Sequence, residues 1–167
     1  ARAGGPATVG GAMIRVFIPG EPMASGRGRA AVVAGRPRVF TPAKSRAWGA
    51  TAAEEVRAAW GNRPPIPLGV PVRVDWDAVF ARGAGRLPRS LGGTAPRSLP
   101  LLGLHRATKP DRDNLDKAIL DALVRGGALV DDAGVCCGSV AKWWQNVSPD
   151  GMLEPVGVHI EIVELTP

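Results

Sequence analysis

Ile14-Arg15-Val16-Phe17-Ile18 alternates well enough to predict a first strand, stopped by Pro19-Gly20. Residues 21–40 are punctuated by Gly and Pro and show no sustained period. Thr41-Pro42 reads as an N-cap followed by proline in the first helical turn. Beyond it, Trp48, Ala52, Val56 and Ala59 recur at helical spacing as far as about Trp60. Three prolines between Asn62 and Leu68 break that helix. Val70, Val72, Val74 and Trp76 alternate toward Phe80, with Arg73, Asp75 and Asp77 on the opposite side, as a half-buried strand requires. Residues 82–108 form a long Gly/Pro/Arg/Ser-rich connection without period. Leu115, Ala118, Ile119, Ala122 and Leu123 then make one helical stripe, closed by Gly126-Gly127. The short apolar run Ala128-Leu129-Val130 ends at Asp131-Asp132, and Val135 to Trp144 and Val156 to Leu165 predict two further strands. This order predicts an α/β (α+β) fold: a two-layer domain with two main helices packed on a mixed sheet.

The length of 167 residues suits one domain, assigned to residues 13–167. Residues 1–12 are small and read as a tag remnant or flexible extension. A hydrophobic content of 45% is enough for a core. No apolar run approaches the roughly 18–20 residues of a membrane span, and no signal peptide is apparent. Cys136 and Cys137 are the only cysteines and are adjacent, which argues against a disulfide scaffold and a zinc finger. They read as ordinary strand residues in a protein of the reducing cytoplasm.

Charge adds more. Residues 1–109 hold 17 Lys/Arg against 5 Asp/Glu, whereas residues 110–167 hold 4 against 10. A cationic body with one acidic segment points to a polyanionic partner and a separate task for the carboxylates. Arg27, Arg29, Arg36 and Arg38, spread among Gly and Pro, make an adaptable basic arm suited to phosphates. Arg82, Arg86, Arg89, Arg97 and Arg106 lie in the long connection, which reads equally as a basic flap or a tolerated insertion.

The candidate chemistry sits in Lys109-Pro110-Asp111-Arg112-Asp113-Asn114-Leu115-Asp116-Lys117. Proline holds the preceding residue extended, so the helix is expected to start near Asp113, with Asp111 and Asp113 on one side of an extended stretch. Lys117 lies one helical turn beyond Asp113 and reaches the same volume. Asp131-Asp132 arrive on a second segment. Carboxylates so close need a compensating cation, and a hard divalent ion such as Mg²⁺ prefers oxygen ligands. Such an ion polarises a phosphoryl oxygen and activates water. Helix capping by Asp113 or Asn114 explains only one residue of the set. A calcium loop fails, because its glycine position falls on Asp116 and its final glutamate on Ala122. Asp-x-Asp alone also fits a metal-dependent glycosyltransferase, and a non-catalytic DNA-binding protein is a further alternative.

Asp111-Arg112-Asp113-Asn114-Leu115-Asp116-Lys117-Ala118, then Asp121-Ala122-Leu123, then Asp131-Asp132 after a short apolar run, together resemble the RusA family of Holliday junction resolvases, common in phages and prophages. Ile18-Pro19-Gly20-Glu21-Pro22, the arginines to Arg38, and Thr41-Pro42 resemble its N-terminal strand and basic loop. The resemblance implies metal binding by Asp111, Asp113 and Asp132, with Asp131 a neighbour of less defined role, and a functional lysine at Lys117. Lys109 and Arg112 join Arg27, Arg29, Arg36 and Arg38 as expected DNA contacts. It further implies a cytoplasmic homodimer acting on four-way DNA with Mg²⁺ or Mn²⁺. Gly134, where family members often carry a polar residue, and Cys136-Cys137 depart from the pattern.

Overall fold

The computed structural model describes residues 13–26, 29–81, 105–146 and 152–165. Arg27, the 1–12 extension and the greater part of the expected flap, 82–104, therefore lie outside the described residues. The strands are β1 (Ile14–Pro19), β2 (Arg29–Val33), β3 (Arg36–Phe40), β4 (Val72–Phe80), β5 (Val135–Cys137), β6 (Val140–Trp144) and β7 (Gly157–Glu164). The helices are α1 (Ala43–Trp60) and α2 (Arg112–Arg125).

β7 lies between β1 and β4 and runs antiparallel to both, while β4 pairs in parallel with β5 and β6. The predicted mixed sheet with two helices is thus present. The strand alternation works as expected. Ile14, Val16 and Ile18 of β1, Val72, Val74, Trp76, Ala78 and Phe80 of β4, and Val158, Ile160 and Ile162 of β7 enter one core. Trp48, Ala52 and Val56 of α1 and Leu115, Ile119 and Leu123 of α2 complete it. Each fully buried Leu or Ile contributes about 1.5–3 kcal/mol relative to exposure.

The end of α2 shows why two glycines stand there. Gly127 takes φ +82°, its N–H reaches Val124 O, and Ala128 N–H reaches Leu123 O. These are the paired bonds of a Schellman ending. Gly126 has no unusual φ; a Cβ there would lie 2.5 Å from Val56 Cγ1, so it is the close approach of α1 and α2 that requires glycine.

Three expectations need correction. Residues 21–40 are not wholly irregular, because β2 and β3 form an antiparallel hairpin separate from the main sheet. Its turn is Ala34-Gly35, both at positive φ. Thr41 is not the N-cap of α1; Pro42 holds that position and offers no capping side chain. The run from Val135 to Trp144 is two strands, split at Gly138-Ser139. A Cβ at Gly138 would collide with the carbonyl of Val74. Ser139 N–H and Oγ each bond to Asp75 Oδ1 at 2.7 Å, which holds the break in place.

Candidate active site at the head of the second helix

The helix that carries the carboxylates begins one residue earlier than the proline rule suggests. Asp111 is the N-cap, in extended conformation, and Arg112 is the first helical residue. Asp113 therefore lies on the helix, where successive residues turn by about 100°. The alternation that would have aligned it with Asp111 does not apply. Asp111 makes no capping hydrogen bond through its side chain. The capping alternative named Asp113 or Asn114, and neither holds the N-cap position.

The chain leading to Asp111 is clamped by two cations. Lys142 Nζ, on β6, donates to Thr108 O at 2.9 Å and to Pro110 O at 2.8 Å. Arg106 Nη2 donates to Lys109 O at 2.7 Å, and its Nε to Thr108 Oγ1 at 3.2 Å. Three successive carbonyls before the carboxylate are thereby held. Burial lowers the pKa of Lys142, and the neighbouring Arg106 lowers it further, against the opposing pull of Asp111.

Arg106, at the end of the basic connection, has a packing role. Only 15% of its side chain is exposed. Its guanidinium lies 3.9 Å from the Phe80 ring centre and 4.5 Å from that of Trp144. Its Nη1 also approaches Glu21 Oε1 at 3.4 Å. Such a group is a packing element of the domain, not a phosphate contact on a flap. Burial lowers its pKa, and Glu21 opposes that shift.

Other members of the motif have separate tasks. Asp116 accepts a 2.8 Å bond from Trp76 Nε1, which fixes the first turns of α2 to β4. Ser25 N–H donates to Asn114 O at 2.9 Å, so the segment that leads into the arginine hairpin starts beside the head of α2. In that hairpin, Arg29 pairs with Phe40, Arg38 with Ala31 and Arg36 with Val33. Arg36, Lys109 and Arg112 are exposed. The two tryptophans of β6 divide as their alternation requires. Trp144 packs against the core. Trp143 bonds to Asp77 at 2.8 Å and stacks on His105 at 4.0 Å, so its ring already has a partner.

Asp131 and Asp132 differ. Asp131 Oδ1 accepts from Ala133 N–H at 2.8 Å and caps the short 3-10 turn Asp132–Gly134. Asp132, in that turn, is exposed, and its carboxylate has no hydrogen bond among the described residues. The turn contacts α2. Asp111 and Asp113 are likewise exposed. These are hard oxygen donors, so the donor chemistry fits Mg²⁺ or Mn²⁺. Among the described residues, however, no three His, Cys, Asp or Glu side chains form a group able to share a metal ion. A preformed three-carboxylate cage is absent there. Mg²⁺ commonly takes one or two carboxylates, with substrate phosphate and water completing its shell. The sequence motif marked the carboxylates; it gave no sign of the Lys142–Arg106 clamp, whose acceptors are backbone atoms.

A family model described as Endodeoxyribonuclease RusA matches residues 19–153. A search of curated proteins finds no match. No helix among the described residues is long and apolar enough to cross a membrane.

Proposed function

Since the chain belongs to the RusA endodeoxyribonuclease family, whose members are Holliday junction resolving endonucleases, we propose that it resolves four-way DNA by paired, symmetric nicks, as a homodimer dependent on Mg²⁺, with Mn²⁺ able to substitute. A two-fold dimer suits the substrate, because an isologous pair presents two equivalent sites to a pseudo-symmetric junction. The setting is recombination, repair or phage DNA processing in a bacterial cytoplasm.

The observation that supports this reading is the combination at the head of α2. Asp111 is exposed and spends nothing on capping, yet the backbone before it is fixed by Lys142 and Arg106. Asp111, Asp113 and Asp132 are the residues to hold the divalent ion, with Asp131 engaged in its own turn. When bound, that ion supplies phosphoryl polarisation and a more acidic water. Lys117 brings an ammonium one turn along α2 and steadies phosphate charge. Arg27, Arg29, Arg36 and Arg38, with Lys109 and Arg112, supply affinity through phosphates, not sequence choice.

The test is incubation of labelled four-way and linear duplexes with Mg²⁺, Mn²⁺ or EDTA, mapping the cuts. Paired nicks at symmetric positions, confined to the junction and lost in EDTA, are expected. Asp113→Asn abolishes cutting while junction binding persists or tightens. Equal inactivity on every branched substrate with and without metal overturns the proposal.

A further inference from the structure

The helices α1 and α2 leave an open groove of about 430 Å³ between them, lined among others by Ser45, Arg46, Lys117, Asp121 and Arg125, with Trp48 and Ala118 as its buried members. Three cations and one carboxylate face this space. No ion pair joins any of the four to a partner among the described residues. Their spacing is a consequence of sequence. Asp113, Lys117, Asp121 and Arg125 recur every fourth residue of α2, so each lies about 6 Å further along the axis. Arg46 comes from the facing helix. The side chain of Arg125 reaches across to α1, where a Cβ on Gly49 would lie 3.5 Å from its Nη1.

Three cations against one carboxylate leave a net positive field that an anion relieves. The groove is open to solvent, and Thr41, Ser25 and Ser45 add hydroxyl donors along it. It starts one turn from Asp113, so a strand held at the carboxylates can continue directly into it. We propose that this groove seats a backbone phosphate of the bound DNA strand, with Arg46 and Arg125 as its phosphate-binding residues and Lys117 as the link to the cleavage site. Asp121 offsets part of the positive field, so the groove suits a single phosphate charge. This inference rests on the nuclease reading for its substrate but not for its chemistry.

The experiment measures junction affinity without divalent ion, by fluorescence anisotropy at several salt concentrations, for the full chain and two variants. Arg46→Gln combined with Arg125→Gln is expected to weaken binding and to flatten the dependence of log Kd on log salt by about one, because each phosphate contact contributes about one to that slope. Ser45→Glu places a carboxylate in the groove within the first turn of α1. A negative charge there favours the helix, so its thermal midpoint is expected to hold or rise while junction affinity falls. In cleavage assays both variants raise KM far more than they lower kcat. Wild-type affinity and salt slope in both variants overturn the proposal, as does a fall in kcat at unchanged affinity. If the unaltered protein cuts no branched DNA with any divalent ion, yet the variants still lose affinity, the nuclease reading fails and the groove stands. If it cuts and the variants bind normally, the groove alone fails.

Discussion

Replacing Lys142 by Met keeps the length and apolar stem of the side chain and removes its donors. Two bonds are lost, to Thr108 O at 2.9 Å and Pro110 O at 2.8 Å. Hydrogen bonds to a charged group are worth about 1.5–3 kcal/mol each. Thr108 is exposed and Pro110 half-buried, so water replaces part of what is lost. A net destabilisation of about 1–3 kcal/mol follows. The larger effect falls on the turn before Asp111, which keeps the Arg106 bonds to Lys109 O and Thr108 Oγ1. On the proposed role of Asp111 as a metal ligand, a less fixed carboxylate weakens ion binding, and we expect the Mn²⁺ concentration for half-maximal junction cleavage to rise about tenfold, equivalent to ~1.4 kcal/mol. Titrating Mn²⁺ in a cleavage assay, beside urea unfolding and amide exchange over residues 108–112, separates the two effects. Lys142→Arg, which retains a charged donor, recovers part of the loss. A variant destabilised as calculated but with unaltered metal dependence would refute the reasoning, and the clamp would then serve the fold alone.

Other outcomes follow from the same geometry. Asp132→Asn eliminates cutting, whereas Asp131→Asn retains an oxygen for the Ala133 N–H and most of the activity; similar losses in both would contradict the division between them. Gly138→Ala meets the Val74 carbonyl and costs about 3 kcal/mol or more in denaturant unfolding. Burial pushes the Asp75 carboxyl up, but its two bonds from Ser139 and the adjacent Arg73 outweigh that and hold it below its usual value of 3.8. Its stabilisation is therefore complete above that value and is lost as pH falls through the lower folded value. The gap in unfolding free energy between the protein and Asp75→Asn, about 1–3 kcal/mol near neutrality, should close in acid. A gap constant down to pH 2 would exclude the carboxylate as its source.

Periodicity carried most of the fold. Leu115, Ala118, Ile119, Ala122 and Leu123 marked the buried stripe of α2, and Val72, Val74 and Trp76 marked that of β4, because burial on one face leaves a repeat in the sequence. Elements without such a face were missed. The β2–β3 hairpin lies outside the main sheet, and its Ala- and Pro-containing strands have no strong alternation. The break at Gly138-Ser139 depends on Asp75, distant in sequence, and no local window contains it. The carboxylate motif was legible as a spacing of residue types. Its setting was not, since Arg106 and Lys142 act on carbonyl oxygens that every residue has. Arg106 was left open for a related reason: an arginine in a Gly/Pro-rich stretch has the same letter whether it faces phosphate or lies against Phe80 and Trp144.

The carboxylate of Glu21 receives the amide of Ala81 at 3.0 Å through one oxygen and Arg106 through the other. Departure and return of the chain around residues 82–104 are thus fastened at a single acid. An excursion whose two ends share one anchor can lengthen cheaply, each doubling adding only about 0.6 kcal/mol of closure entropy. Lengthening the connection between Ala81 and His105 is therefore expected to leave the urea unfolding of the domain little changed, provided Glu21 and Arg106 stay.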